Sequence, residues 1–216
     1  MGIGVSSDGA SEQPTPEGAF ERLMAGNGRF ASNVRSIDSL VSHLRRAELV
    51  KGQKPFAVIF GCSDSRAPAE ILFDQGLGDL FVIRVAGPVV GTSQIGSVEF
   101  ACEKLGVPLV MVLGHTRCGA VDATIDEILE PDPGHSHHVL SIVNRIRPAL
   151  EGLVLQNRHE AHEHLNDLAV RANVRACVEQ LREGSVLLQA RVMRGQLKIV
   201  GGEFDIATGK VEIVSA

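Results

Sequence analysis

Two short stretches carry residue types that can do chemistry together. "GCSDSR", residues 61–66, follows the apolar run "PFAVIF", and "GHTRCGA", residues 114–120, follows "PLVMVL". The first offers Cys62, Asp64 and Arg66 on alternate residues, and the second offers His115 and Cys118. Thiolate and imidazole together suit a borderline-soft tetrahedral ion, so two cysteines and one histidine form a zinc set. Asp64 has two possible employments. It can complete the zinc as a fourth ligand, or Arg66 can hold it away through two parallel hydrogen bonds. A structural zinc is closed by four protein ligands, whereas a catalytic one keeps a place for water, whose pKa falls to about 7 there.

To meet, these residues must stand at neighbouring strand ends, where open α/β sheets bind their ligands. The patterning provides for that. "FAVIFG", "LFVIRVAG", "PLVMVLGH" and "QLKIVGGEFD" read as strands, and continuous apolar runs separated by helical segments indicate parallel strands buried on both faces. Helices are expected at 68–75, 93–106, 118–130, 138–151 and 160–182. "KVEIVS", after the Thr208-Gly209 turn signal, is expected to pair as a hairpin with the strand before it. The fold class is therefore α/β: a central, mostly parallel sheet flanked by helices, with an N-terminal helical arm and a C-terminal edge strand. Residues 1–15 read as a disordered leader and 16–52 as the helical arm, with Phe20, Leu23, Met24 and Phe30 at helical spacing and a second helix over 39–52. Residues 53–216 form the zinc-binding α/β domain.

Composition narrows the function classes. The formal net charge is −5 and no long basic run occurs, which argues against nucleic acid as a partner. Tryptophan and tyrosine are both absent, so the side chains usually used to stack bases or hold sugars are missing. No apolar run is long enough to cross a bilayer, so no membrane association is expected. The N-terminus lacks the basic start and apolar core of a secretory signal. Gly2 and Ser6 of "MGIGVS" fit the loose myristoylation pattern, but a leader that happens to begin with glycine is the simpler reading. Four cysteines without an export signal point to reduced thiols and a cytoplasmic location.

"CSDSR" followed some fifty residues later by "GHTRCGA" resembles the β-class carbonic anhydrases. The resemblance runs from about Pro16 to the last strand and includes "AVIFGCSDSR", "EILFDQGLGDLFVIRVAG", "GSVEFA" and "LGHTRCGAV". It implies one Zn2+ per chain on Cys62, His115 and Cys118, and an Asp-Arg dyad of Asp64 and Arg66, with Asp64 on the metal only in a closed state. The implied reaction is the reversible hydration of carbon dioxide to bicarbonate and a proton, with zinc-bound hydroxide as nucleophile. The resemblance also implies a substrate pocket containing Gln53 of "KGQKP", Phe81 of "GDLFVIR", Phe100 of "SVEF" and Gly119. Phe100 is a departure, since the family has a tyrosine there; the ring is kept and the hydroxyl lost. A closed-site group in the family builds a regulatory bicarbonate site partly from tryptophan and tyrosine, and this chain has neither, which favours the open form. The implied assembly is a homodimer whose N-terminal helices clasp the neighbour, with pairing into a tetramer as a further step.

Other features read more plainly. Cys102 and Cys177 lie in helical patterns and suit small buried hydrophobes. "RHEAHEHL" lacks a histidine at 163 and fails as a zincin helix, leaving His159, His162 and His164 on a solvated face. His135, His137 and His138 of "GHSHH" read as a loop, with proton relay as the functional alternative. "DQGLGD" lacks the lysine of a phosphate-binding loop. Two rival functions share the architecture: hydrolysis of carbon disulfide or carbonyl sulfide, and a non-catalytic zinc protein that senses bicarbonate with Asp64 closing the site.

Overall fold

The structure is a computed structural model that describes residues 13–34 and 43–215. The Gly2 and Ser6 pattern lies outside the described residues. Among the described residues, Gln13 is already tied to the body, two residues before the expected end of the leader: its amide donates to the carbonyls of Pro55 and Leu105. Helix α1 (Pro16–Ala31) opens with proline at its first position, and the Thr15 hydroxyl accepts from the Gly18 N–H. It lies on its own chain. Ala19 and Leu23 are fully buried, and a Cβ on Gly26 would sit 1.8 Å from the Phe73 carbonyl oxygen. Buried Asn27 donates to the carbonyls of Leu72 and Gly209 and accepts from the Val211 N–H, tying the helix to both. Of the helix expected over 39–52, the described part is α2 (His43–Leu49), and Arg45 ties it to the Leu77 carbonyl and Asp79.

Five strands form one sheet: β1 (Ala57–Cys62), β2 (Leu80–Val85), β3 (Leu109–His115), β4 (Lys198–Phe204) and β5 (Val211–Ser215). Their order is β2-β1-β3-β4-β5, parallel throughout except for the antiparallel β4–β5 pair. β1 and β3 are buried at every residue, as their unbroken apolar runs require of central strands, while β2 at the edge is mostly half-buried. Strand alternation splits the core. Ala57, Ile59, Leu109 and Met111 face α1 and α3 (Ala69–Leu72). Val58, Phe60, Val110 and Val112 face α4 (Thr92–Lys104), α7 (His162–Glu183) and α8 (Val186–Met193). A third cluster joins α5 (Gly119–Leu129), α6 (His137–Gln156) and α7 around Val89 and Cys62.

Three details depart from the sequence pattern. α6 continues five residues past the expected end at 151, through Pro148, because Leu150 and Val154, two and six residues after that proline, are fully buried. That burial outweighs one missing helix hydrogen bond. α8 has no counterpart in the expected elements; Ser185 caps it by accepting from the Leu188 N–H. α3 is a single turn rather than a helix over 68–75. No described helix is long and apolar enough to cross a membrane.

The chain leaves β1 through α3 to β2 on one side, then passes back over β1 through α4 to β3 on the other. The order therefore reverses between β1 and β3, and a crevice opens at their C-terminal ends.

Candidate metal centre

That crevice holds the residues singled out by type. Cys62 ends β1, His115 ends β3, and Cys118 is the N-cap residue immediately before α5. Their ligating atoms lie within 4.8 Å of one another, and all three residues are buried. His115 Nδ1 donates to the Thr116 carbonyl at 3.0 Å, so Nε2 carries the lone pair. Nε2 is buried and has no hydrogen-bond partner among the described residues. An orphaned imidazole nitrogen beside two sulfurs is a poor end state for a core, yet it is what a thiophilic cation requires. The donor set fits zinc.

The electrostatics agree. The Cys118 thiol, hydrogen-bonded to Cys62, lowers the Cys62 pKa to about 4. His115 and the N–H groups of Asp64 and Gly87 add to that effect, while burial opposes it. Cys118 is pushed up, first by the neighbouring Cys62 sulfur and then by burial. Each sulfur thus shifts the other: Cys62 toward its thiolate and Cys118 toward its protonated form. Burial disfavours the charged form of His115, but the Cys62 sulfur and the Thr116 carbonyl outweigh it and raise its pKa.

Asp64 and Arg66 sit on the turn after β1. Arg66 donates three times to the carboxylate: backbone N–H to Oδ1 (2.8 Å), Nε to Oδ1 (3.0 Å) and Nη2 to Oδ2 (2.7 Å). These bonds hold Asp64 well below the usual carboxylate range. Oδ2 is nevertheless 3.9 Å from His115 Nε2, so the carboxylate borders the ligand group.

Two further residues hold this turn and were not found by reading for chemistry. Arg84 on β2 donates to the carbonyls of Cys62 (2.8 Å) and Asp64 (2.6 Å). Its only trace in the sequence is a lone charge inside the apolar run "FVIRV". Arg117, at φ 55, turns its carbonyl toward Arg66 Nη2 at 3.1 Å, and its own side chain pairs with Glu163 of α7 at 2.6 Å.

The substrate-pocket residues divide. Gly119 adjoins the group as the first residue of α5, and a Cβ there would meet nothing within 4 Å. Gln53 is exposed, before β1 begins, at the opposite end of the sheet. Phe81 pairs in register with Val58, four residues before Cys62, or about 13 Å along the strand. Phe100, half exposed on α4, lies against Phe81 with ring centroids 6.3 Å apart. One chain does not bring these three to the metal group. Nor does "GHSHH" reach it: His135 bonds to Glu127 at 2.9 Å, near the far end of α5 and about 13 Å along the helix from Cys118. His162 is exposed beside Asp122 and Asp126, consistent with a solvated face.

A family model described as "Carbonic anhydrase" matches residues 57–211. A carbonic anhydrase of Mycolicibacterium smegmatis is 40% identical over 205 residues, covering 93% of this chain and 94% of that protein. Carbonic anhydrase 2 of Mycobacterium tuberculosis is 41% identical over 197 residues, covering 90% and 91%. Among solved structures, a Coccomyxa β-carbonic anhydrase in complex with acetazolamide matches with TM-score 0.69 and 26% identity, covering 77% of this chain and 75% of that one. Sequence likeness over nearly the whole chain and the shared architecture agree: the chain belongs to the β-class carbonic anhydrases, enzymes of the carbonate dehydratase type.

Proposed function

We propose that this enzyme reversibly hydrates carbon dioxide to bicarbonate and a proton at one zinc ion held by Cys62, His115 and Cys118, with Asp64 and Arg66 as the catalytic dyad. The observation that carries the reading is the orphaned His115 Nε2, buried beside two sulfurs while Nδ1 is committed to Thr116. When bound, zinc supplies the Lewis acidity that makes water a nucleophile at neutral pH.

The chain's own residues do the rest. Arg66 engages both Asp64 oxygens, which keeps the carboxylate from serving as a fourth ligand and supports an open site over a closed sensor. Oδ2, the oxygen nearer His115, can accept a hydrogen bond from a water among the three ligands and fix its orientation. Because Arg66 keeps Asp64 ionised, that oxygen stays an acceptor through the neutral range. The space over Gly119 admits a linear substrate.

Gln53, Phe81 and Phe100 enter the pocket from a second copy of the chain. Phe81 on the edge strand β2 and the solvent-facing Phe100 ring packed beside it support a homodimer in which each copy completes the other's site. The deciding experiment is stopped-flow carbon dioxide hydration on protein of known zinc content, with carbonyl sulfide alongside. Rapid hydration that scales with zinc is expected. Zinc-loaded protein that cleaves carbonyl sulfide but leaves carbon dioxide unhydrated would overturn the reading.

A further inference from the structure

Asn173 and Cys177 stand one turn apart on α7, more than fifty residues from the nearest metal-group residue in sequence, and both are buried, at 3% and 2% exposure. They converge on one atom. Asn173 Nδ2 donates to the Pro88 carbonyl at 3.0 Å, and the Cys177 thiol donates to the same oxygen at 3.1 Å. One residue earlier, the Gly87 N–H donates to Cys62 Sγ at 3.3 Å.

The connection between that carbonyl and that N–H is short and stiff. Proline fixes its own φ. Gly87 sits at φ +69, and a Cβ there would lie 3.0 Å from Ala120 and from Ile146, so the loop is pressed against α5 and α6. The far anchor is equally fixed. Val174 lies 2.6 Å from where a Cβ on Gly114 or Gly201 would be, so α7 rests directly on the backbone of β3 and β4. Two buried donors on a helix seated against the sheet therefore set where the Gly87 N–H points.

We propose that Asn173 and Cys177 are positioning residues of the metal centre: by gripping the Pro88 carbonyl they aim the Gly87 N–H at Cys62 Sγ. This rests on the reading of Cys62 as a zinc ligand. A hydrogen bond to a ligand sulfur fixes its direction and tunes its electron donation, and losing such an outer partner typically costs about 10- to 100-fold in metal affinity. Cys177 is thus more than the small buried hydrophobe its helical setting suggests.

The test follows zinc release to a competing chelator from loaded protein, together with the thiolate-to-metal charge-transfer band of the cobalt(II)-substituted form. Asn173→Leu should release zinc roughly tenfold faster or more and shift the band. Cys177→Ala should show a smaller change in the same direction, and Cys177→Ser, which keeps a donor, should return toward wild type. Val178→Ala removes buried methyls from the same helix without touching Pro88; it should lower the melting temperature and leave release and band unchanged. The proposal is overturned if Asn173→Leu and Cys177→Ala release zinc no faster than Val178→Ala. Should Asn173→Leu fail to fold, the Cys177→Ala and Cys177→Ser pair decides alone. Wild-type protein that holds no zinc overturns the metal reading and this inference with it. Zinc-loaded wild type beside unchanged variants overturns this inference only.

Discussion

At the C-terminal ends of β1 and β3 the polar groups are held from several directions at once. Asp64 receives three bonds from Arg66, Arg66 is braced by the Arg117 carbonyl, and Arg84 grips the backbone on either side of Ser63. Around the edge strand β2 and in the segment that leads into β1 the arrangement is the opposite. Phe100 is half exposed, its ring meets Phe81, and Gln53 stands in solvent. The difference teaches that metal chemistry and substrate enclosure are organised at different scales. Ligand geometry must be fixed to tenths of an ångström, and one chain's hydrogen bonds can do that. An apolar cover for a substrate needs only shape and surface, which a second chain can provide.

The sharpest break at the fixed end is Cys118→Ser. Zinc content should fall to a small fraction of one per chain, and hydration activity should drop by more than the about 100-fold typical of losing an outer-sphere partner. Metal analysis with rate measurement checks it; full occupancy with native activity would refute the ligand set.

Arg66→Ala comes next. With that guanidinium gone, Arg84 stays committed to the Cys62 and Asp64 carbonyls, and a carboxylate oxygen freed of its own partner should move onto the metal. The variant should keep zinc and fold while losing about 100-fold or more in hydration, in the range expected for removing a group that manages protons. X-ray absorption at zinc should show an extra carboxylate oxygen. Asp64→Asn should be slow without that change, because an amide is a poor zinc ligand.

The open edge is tested by complementation. Gln53→Ala and Cys118→Ser should each be weakly active alone. If each pocket draws on two chains, a refolded one-to-one mixture regains one intact site in each mixed dimer, about a quarter of wild-type sites. A mixture no better than the mean of its components would place Gln53 outside the partner's pocket.

Much of this was legible in the sequence, for a physical reason. Strands buried on both faces must be continuously apolar, so β1 and β3 announced themselves, and ligand types at their ends followed. Arg84, Gly87 and Asn173 were not legible because they act through backbone carbonyls and N–H groups, which every residue has and only the tertiary fold aims. α8 was missed because a short apolar stretch does not distinguish a helix from a buried strand. The separation of Phe81 and Phe100 from Cys62 depends on strand register, which no motif records.

A smaller effect concerns the metal-free protein. Cys62 titrates lower in the fold, about 4, than the roughly 8.5 of an unperturbed thiol. Its contribution to stability is therefore present above the unfolded value and lost as pH falls toward 4. Cys118 is shifted the other way, so its share is lost as pH rises past the unfolded value. Melting temperatures of metal-free protein should decline on both sides of roughly pH 8.5 from these two groups. In Cys62→Ser the acid-side decline should flatten. A decline on the acid side that Cys62→Ser leaves intact would assign it to other groups.

The smallest expected effect is Phe100→Tyr. Phe100 is half exposed and meets Phe81 at a tilt, so in the proposed dimer its work is to present ring surface at the edge the second copy would cover. Carbon dioxide has no net dipole, and the face of a ring suits it whether or not a hydroxyl follows. Restoring the family's hydroxyl adds one polar group that water or the second copy can satisfy at the rim. The hydration rate should therefore change by less than about tenfold, or ~1.4 kcal/mol in the barrier. Phe100→Ala removes the ring itself and should cost more than Phe100→Tyr in kcat/KM, with zinc content unchanged in both. If tyrosine raises the rate well beyond tenfold, the hydroxyl rather than the ring limits this enzyme, and its pocket is shaped for something other than bare carbon dioxide. If alanine and tyrosine behave alike and native, Phe100 lies outside the pocket and the β2 edge meets its partner in another way.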